Sequence, residues 1–220
     1  MSNVYLGCPL YGPIEPETSI AIANCSRRGE KVTADVHASS LLALNFNHIW
    51  CNALNTRPHD YFAMIHGDVD PEAGWLDILI DEKERTGVDV LSVVLPIKDK
   101  RGVTSTSILD PPTGTTRLLS LEEIYTTLPR TFTIKDTATP DFVLGVNTGL
   151  WICDFASAWV EKVFFQINDR ITCRDGIWMP QNLPEDWYFS AQCHDLGLTV
   201  AATTCVRALH YGRIGFQNYL

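Results

Sequence analysis

The hydrophobic positions fall into short runs separated by amphipathic stretches, a pattern that predicts alternating strands and helices. Val4 to Pro9 predicts a strand. "PETSIAIANCSRR" opens on Pro16, keeps its apolar residues on one helical face, and predicts a helix stopped at Gly29. "KVTADVHAS" alternates as a second strand, "LLALNFNHIWCNALN" has a helical period, and Tyr61 to Ile65 predicts a third, buried strand. Three strands joined by two helices predict right-handed crossovers and a parallel sheet, whose ligands belong at the carboxyl ends of the strands. "PEAGWLDILIDEKERTG" then predicts a helix from Pro71 to Gly87, leading into the strand "VDVLSVVLPI".

The second half is less regular. "VTSTSILDPPTGTTRLLS" predicts two strands around the turn Pro111-Pro112-Thr113-Gly114, and "LEEIYTTLP" a short helix ended by Pro129. "FVLGVNTGLWIC" predicts a strand with a turn inside it, and Asp154 predicts the cap of a helix "FASAWVEKVFF". An irregular loop follows, then a helix over "PEDWYFSAQCHDLGL" and strand material in "TVAATTCVRALHYG".

The composition is that of a globular protein: 220 residues, 45% hydrophobic and 20% charged, for which one domain is expected. The formal net charge of −9 disfavours a broad surface tracking nucleic-acid phosphates, so duplex binding is not expected. Seven cysteines with no C-x-x-C pair read as reduced thiols rather than a disulfide framework. "MSNVYLGCPLYG" lacks a basic segment followed by a long apolar one, and the longest apolar-looking stretch is broken by Asn147, Asp154 and Glu161. A soluble, cytoplasmic protein without a membrane span is the expectation.

Against that background "HGDVD" stands out, because Asp68 and Asp70 lie two positions apart just past a strand's carboxyl end. Two such carboxylates repel unless something positive sits between them, and Mg²⁺ or Mn²⁺ would offset the repulsion. Such an ion takes few protein ligands and fills its remaining positions with water and substrate phosphates, so the pair points to a diphosphate ligand as well. A D-x-D pair also arises by chance, and taken alone its ordinary reading is a solvated turn capping the next helix.

The run "HGDVD" in the third strand-helix position resembles the nucleotide-sugar-dependent glycosyltransferases of the GT-A fold, in particular family 2-like members. "GCPLYG" is similar to their first strand and nucleotide-binding turn, and Asn47 to the Arg-Asn position of their pre-motif helix, with Phe46 in place of arginine. "LGVNTGLWIC" is similar to their acceptor-side segment, "PEDWYFSAQCHDLGLTV" to their Glu-Asp helix, and "RALHYG" to a late histidine that joins the metal. The segments cover almost the whole chain in the family's order.

The resemblance implies a single-domain α/β protein with a GT-A (Rossmann-like) mixed, mainly parallel sheet flanked by helices. A nucleotide-binding half would occupy about 1–98 and an acceptor-side half about 99–220. It implies a metal-dependent transferase moving one sugar from a nucleoside diphosphate sugar to a hydroxyl acceptor, with Mn²⁺ or Mg²⁺ as cofactor and inversion favoured. Pro9, Leu10, Tyr11, Asn47, Gly67, Asp68 and Arg213 would bind the donor, and Asp68, Asp70 and His210 the metal. Asp186 would be the general base with Glu185 beside it, and Asn147, Thr148, Gly149, Trp151 and Trp187 would face the acceptor.

Each of these residues has a plainer reading. Glu185 and Asp186 suit a helix start electrostatically, His210 a partly buried strand, Asn147-Thr148-Gly149 a turn, and the tryptophans the core. Arg27 and Arg28 read as solvated helix-end charges. A glycine-rich "GxGxR" loop, as in sugar-nucleotidyltransferases, and a "QxxRW" motif, as in processive synthases, are both absent, and so is a G-x-G-x-x-G dinucleotide fingerprint after the first strand. A non-catalytic carbohydrate- or nucleotide-binding module with the same sheet is the alternative.

Overall fold

The structure is a computed structural model describing residues 1–110, 115–212 and 215–219. Strand Asn3–Leu10 (β1) precedes helix Pro16–Ala23 (α1), strand Lys31–Ala38 (β2), helix Leu42–Asn55 (α2) and strand Tyr61–Ile65 (β3). A turn and the short strand Val69–Pro71 (β4) lead to helix Trp75–Thr86 (α3) and strand Val90–Val93 (β5). Strands Val103–Asp110 (β6) and Thr115–Ser120 (β7) are followed by helix Leu121–Thr127 (α4) and strands Thr131–Thr133 (β8), Val143–Gly145 (β9) and Leu150–Asp154 (β10). The remaining elements are strands Asn168–Arg174 (β11) and Ile177–Leu183 (β12), helix Glu185–Asp195 (α5), and strands Val200–Thr203 (β13), Ala208–Tyr211 (β14) and Gly215–Gln217 (β15).

Seven strands form the main sheet in the order β2-β1-β3-β10-β5-β13-β8. β1 pairs in parallel with β2 and β3, and β5 with β13, whereas β10 and β8 run antiparallel to their neighbours. The sheet is mixed and mainly parallel, and β10 from the second half is threaded between β3 and β5 of the first. The two halves of the chain thus share one sheet.

Period-two alternation sorts the side chains onto its two faces. Tyr5, Phe62, Met64, Trp151 and Cys153 join one buried cluster with residues of α2 and α5, while Val4, Leu6, Ala63, Ile65, Leu150 and Ile152 join a second with residues of α1 and α3. Helices cover both faces, so the inner strands are apolar at consecutive positions. β2 is one of the two edge strands, with β8 at the other side, and its residues are exposed or half-buried.

Several expectations need correction. "FASAWVEKVFF" is not an α-helix: only Ala158–Glu161 forms a 3₁₀ turn. Phe155, Trp159, Val160, Val163 and Phe165 all enter the core, a spacing no single helical face supplies. Asp154 caps locally instead, accepting from the Ala156 N–H and the Ser157 hydroxyl. The supposed loop before α5 is the hairpin β11–β12, whose turn has Asp175 and Gly176 at φ 51° and 78°, the Asp-Gly signature of a tight hairpin. Pro71 does not start α3 but pairs with Ala208 in a small sheet, β15-β14-β4, and the helix begins at Trp75. α1 stops at Ala23, short of Gly29. β9 and β10 separate into different sheets, with β9 in the three-stranded sheet β7-β6-β9. The turn at 111–114 lies outside the described residues.

Candidate functional site

The carboxyl ends of β1 and β3 open into a cleft of about 430 Å³ lined by Pro9, Leu10, Tyr11, Glu15, His66, Gly67, Asp68, Lys98 and Tyr211, among others. The walls come close because Gly67 has no side chain: a Cβ there would collide with Leu10. The Gly67 carbonyl accepts from Glu15 N–H at 2.7 Å, which ties the turn after β3 to the start of α1. Asn45, fully buried on α2, donates to the carbonyls of Leu10 and Ser39 and so fixes the ends of β1 and β2.

Asp68 stands at the cleft wall. Lys98 makes an ion pair with its Oδ2, while Oδ1 is buried without a hydrogen-bond partner and lies 3.6 Å from His210 Nε2. That distance is too long for a formed hydrogen bond. Burial works against ionisation, but the adjacent His210 imidazole and Lys98 ammonium outweigh it and hold the Asp68 carboxyl well below the usual carboxylate range. His210 Nδ1 lies 2.9 Å from the Pro96 carbonyl, which can only accept, so the proton sits on Nδ1. Nε2 is left facing Asp68.

A second, smaller cavity of about 130 Å³ adjoins the first through His66, which lines both. Its walls are His66, Leu95, Ser105, Asn147, Thr148, Gly149, Glu185, Asp186 and His210. Asp186 sits in the first turn of α5, where the Trp187 N–H reaches its Oδ1 at 2.7 Å. Burial, and secondarily the neighbouring Glu185, push its pKa up to about 7, and burial raises Glu185 as well. The helix start is clamped in place: the Ser190 hydroxyl donates to the Asp186 carbonyl and accepts from Val146 N–H. His66 is half-buried, its Nε2 is screened from solvent without a hydrogen-bond partner, and desolvation lowers its pKa to about 4, so the ring is neutral.

The other expected residues divide. Asn147 and Thr148 are 4% and 2% exposed, and Asn147 is committed to structure: its amide donates to the Val93 carbonyl and its Oδ1 accepts from Gly149 N–H. The Gly149 carbonyl accepts from His66 N–H, so this turn joins the ends of β3 and β5. Trp187 is half-buried, and its indole donates to the Ser105 carbonyl at 3.1 Å.

Trp151 cannot be an acceptor platform. It is fully buried against Trp50, Phe62 and Phe189, because its position on β10 alternates toward the core. Asn47 is not in the donor cleft either: its amide donates to the Phe165 carbonyl and its oxygen accepts from Phe165 N–H. Arg213 lies outside the described residues.

Asp68 and Asp70 do not meet. Gly67 and Asp68 form a turn, with Val69 N–H bonded to the His66 carbonyl, so strand alternation does not carry both carboxylates to one side. Asp70 instead lines a separate cavity with Ile20, Asn24, Glu72 and Arg207, and its pKa is raised by burial and by the charge of Glu17. Among the described residues no three His, Cys, Asp or Glu side chains are grouped to hold a metal. The orphaned Asp68 Oδ1 and the imidazole nitrogen facing it have the donor chemistry of two ligands to a hard or borderline cation.

Sequence patterning did not single out His66, Lys98 or Asn45. The first two sit just beyond the carboxyl ends of β3 and β5, where open α/β sheets bind ligands, and that position was the available signal.

No protein-family model and no curated protein matches the chain. Solved structures do. A197 from STIV superposes with a TM-score of 0.57 at 15% identity, covering 96% of this chain and 86% of that one. GalNAc-T7, solved with UDP, GalNAc and Mn²⁺, superposes with a TM-score of 0.51 at 10% identity over 97% of this chain. The fold is GT-A-like. The chain spans 44% of the GalNAc-T7 chain, so the remainder of that protein has no counterpart here. Among the described residues no helix is long and apolar enough to cross a membrane.

Proposed function

We propose that this chain is a glycosyltransferase that moves one sugar from a nucleoside diphosphate sugar to a hydroxyl acceptor. The observation that carries the reading is the pair of cavities meeting at His66, one with an ionised carboxylate and a lysine, the other with a carboxyl of pKa about 7. The first suits a diphosphate, the second an acceptor hydroxyl that must lose its proton.

In this reading Pro9, Leu10, Tyr11, Gly67 and Asp68 bound the donor, with Asn45 holding the strand ends in register. Asp68 and His210 would hold Mn²⁺ or Mg²⁺, which when bound offsets the charge developing on the departing diphosphate. Asp186 accepts the proton of the acceptor hydroxyl as that oxygen attacks the anomeric carbon. The bond to the phosphate oxygen breaks and its electron pair leaves with the diphosphate, a single displacement with inversion. Asn147, Thr148 and Gly149 wall the acceptor side, Trp187 braces the helix that carries Asp186, and neutral His66 stands where donor and acceptor sides meet. Residues about 1–98 supply most of the donor side and 99–220 the base. All seven cysteines are unbridged, five of them buried, which suits a reducing cytoplasm.

The ion pair between Lys98 and Asp68, and the lack of a three-ligand group among the described residues, favour a second reading, a non-catalytic nucleotide- or carbohydrate-binding module. A panel of nucleotide sugars with Mn²⁺ separates the two. A transferase hydrolyses its donor slowly without acceptor, and a donor at about a hundred times its Kd adds roughly 2.7 kcal/mol of stability. Stabilisation without turnover would leave the module, and neither would sink both readings.

A further inference from the structure

We propose that Lys98 is a resident counter-cation of the cleft. It neutralises Asp68 while no divalent ion is bound, and passes to the donor's diphosphate when one binds. The inference rests on the reading of this cleft as a nucleoside diphosphate site.

The two oxygens of Asp68 are in different circumstances. Oδ2 carries the Lys98 ammonium, whereas Oδ1 is buried, unpartnered and 3.6 Å from the His210 nitrogen that bears no proton in the neutral ring. A cation drawn to Oδ1 and Nε2 would then share one carboxylate with an ammonium. Two positive centres that close repel strongly at the effective dielectric of a protein surface. One of them has to leave, and the lysine is free to do so: the Lys98 and Asp68 side chains are 35% and 34% exposed, and partly exposed ion pairs are held weakly.

The place Lys98 can go is also defined. Its stem runs beside the backbone of Gly212, where an added Cβ would lie 3.3 Å from the Lys98 Cβ, and the residue lines the same cavity as Pro9 to Pro13 and Tyr211. The flexible four-carbon chain keeps the ammonium within that cavity whichever partner it takes. Among the described residues Glu15 is the other acidic side chain lining the cavity, so an incoming diphosphate is the strongest anion within reach. Metal and nucleotide therefore help each other bind: the metal frees the lysine for the phosphates, and the phosphates draw it off the metal's ligand. Thermodynamic linkage makes the two effects equal in size.

Titrating Mn²⁺ alone, followed by the spin-resonance signal of the free ion, tests this on the full chain. Lys98→Met should bind Mn²⁺ about five- to tenfold more tightly than the wild type, since it has lost the competitor. The same variant should bind UDP or GDP, whichever the wild type accepts, several-fold more weakly without metal, and the enhancement of nucleotide affinity by Mn²⁺ should shrink. Lys98→Arg keeps the charge and should keep the wild-type Mn²⁺ affinity; with both variants melting near the wild-type temperature, an altered fold is not the cause. A Lys98→Met protein whose Mn²⁺ affinity is unchanged or lower overturns the inference while leaving the donor site intact. A wild type that binds neither Mn²⁺ nor a nucleoside diphosphate overturns the donor-site reading and this inference with it.

Discussion

At the mouth of the cleft Asp68 has an ammonium on one oxygen and an imidazole near the other, while at the head of α5 Asp186 has a second carboxyl beside it and a backbone N–H for a partner. Both are partly shielded from water. The first is nevertheless held ionised, whereas the second titrates at about 7. One residue type thus serves as a fixed anion in one cavity and as a proton acceptor in the next, and desolvation together with the neighbouring charges decides which.

Removing the proton acceptor should have the largest effect. Asp186→Asn keeps size and polarity but removes the base, so single-turnover transfer should fall by about 10² to 10⁴ with little change in donor affinity measured by calorimetry. Transfer at near the wild-type rate would refute the role, and retention of configuration in the product would demand a different mechanism.

At the other carboxylate, Asp68→Asn should weaken nucleoside diphosphate binding in Mn²⁺ by about 10- to 100-fold, and EDTA should mimic it in the wild type. Equal donor affinity in EDTA and Mn²⁺ would remove the metal from the site. Asp70→Asn, facing its separate cavity beside Glu17, should change that affinity far less, and an equal loss in both variants would contradict the separation of the two side chains. His210→Ala should raise the Mn²⁺ concentration needed for half-maximal activity about tenfold without unfolding the protein, and an unaltered requirement would exclude it as a ligand.

The last effect is on stability and its pH dependence. Because the folded-state pKa of Asp186 lies above the ordinary carboxylate value, the folded protein holds an extra proton between about pH 4 and 7. The contribution of this group is most favourable below that window, declines by ~1.4 kcal/mol per pH unit as pH rises through it, and is level above about 7. Denaturant midpoints measured against pH should therefore fall less steeply for Asp186→Asn than for the wild type. The same titration sets the rate, which should climb with pH toward about 7 in the wild type and lose that limb in the variant.

Local pattern sufficed for the existence of the helices α2, α3 and α5 and of the strands β1 and β3, because each buries one face or two and writes that burial into its spacing of apolar residues, and for β2, whose positions are at most half-buried. It failed at 155–165, where five core side chains come from a segment with no regular period. At β11–β12 the Asp-Gly turn was present but the strands around it leave Ile171, Ile177 and Trp178 64% to 73% exposed, so no buried stripe marked them. Asp68 and Asp186 were legible as carboxylates at a strand end and a helix start. What each is next to was not: Lys98 lies 30 residues from Asp68, His210 is brought to it by β14 pairing with β4, and Trp151 is hidden by β10 entering between β3 and β5. Residue type and spacing set which groups can ionise and which elements carry them. The pairing with Lys98 and the desolvation that lifts Asp186 come from long-range packing, since charge and burial act through space rather than along the chain.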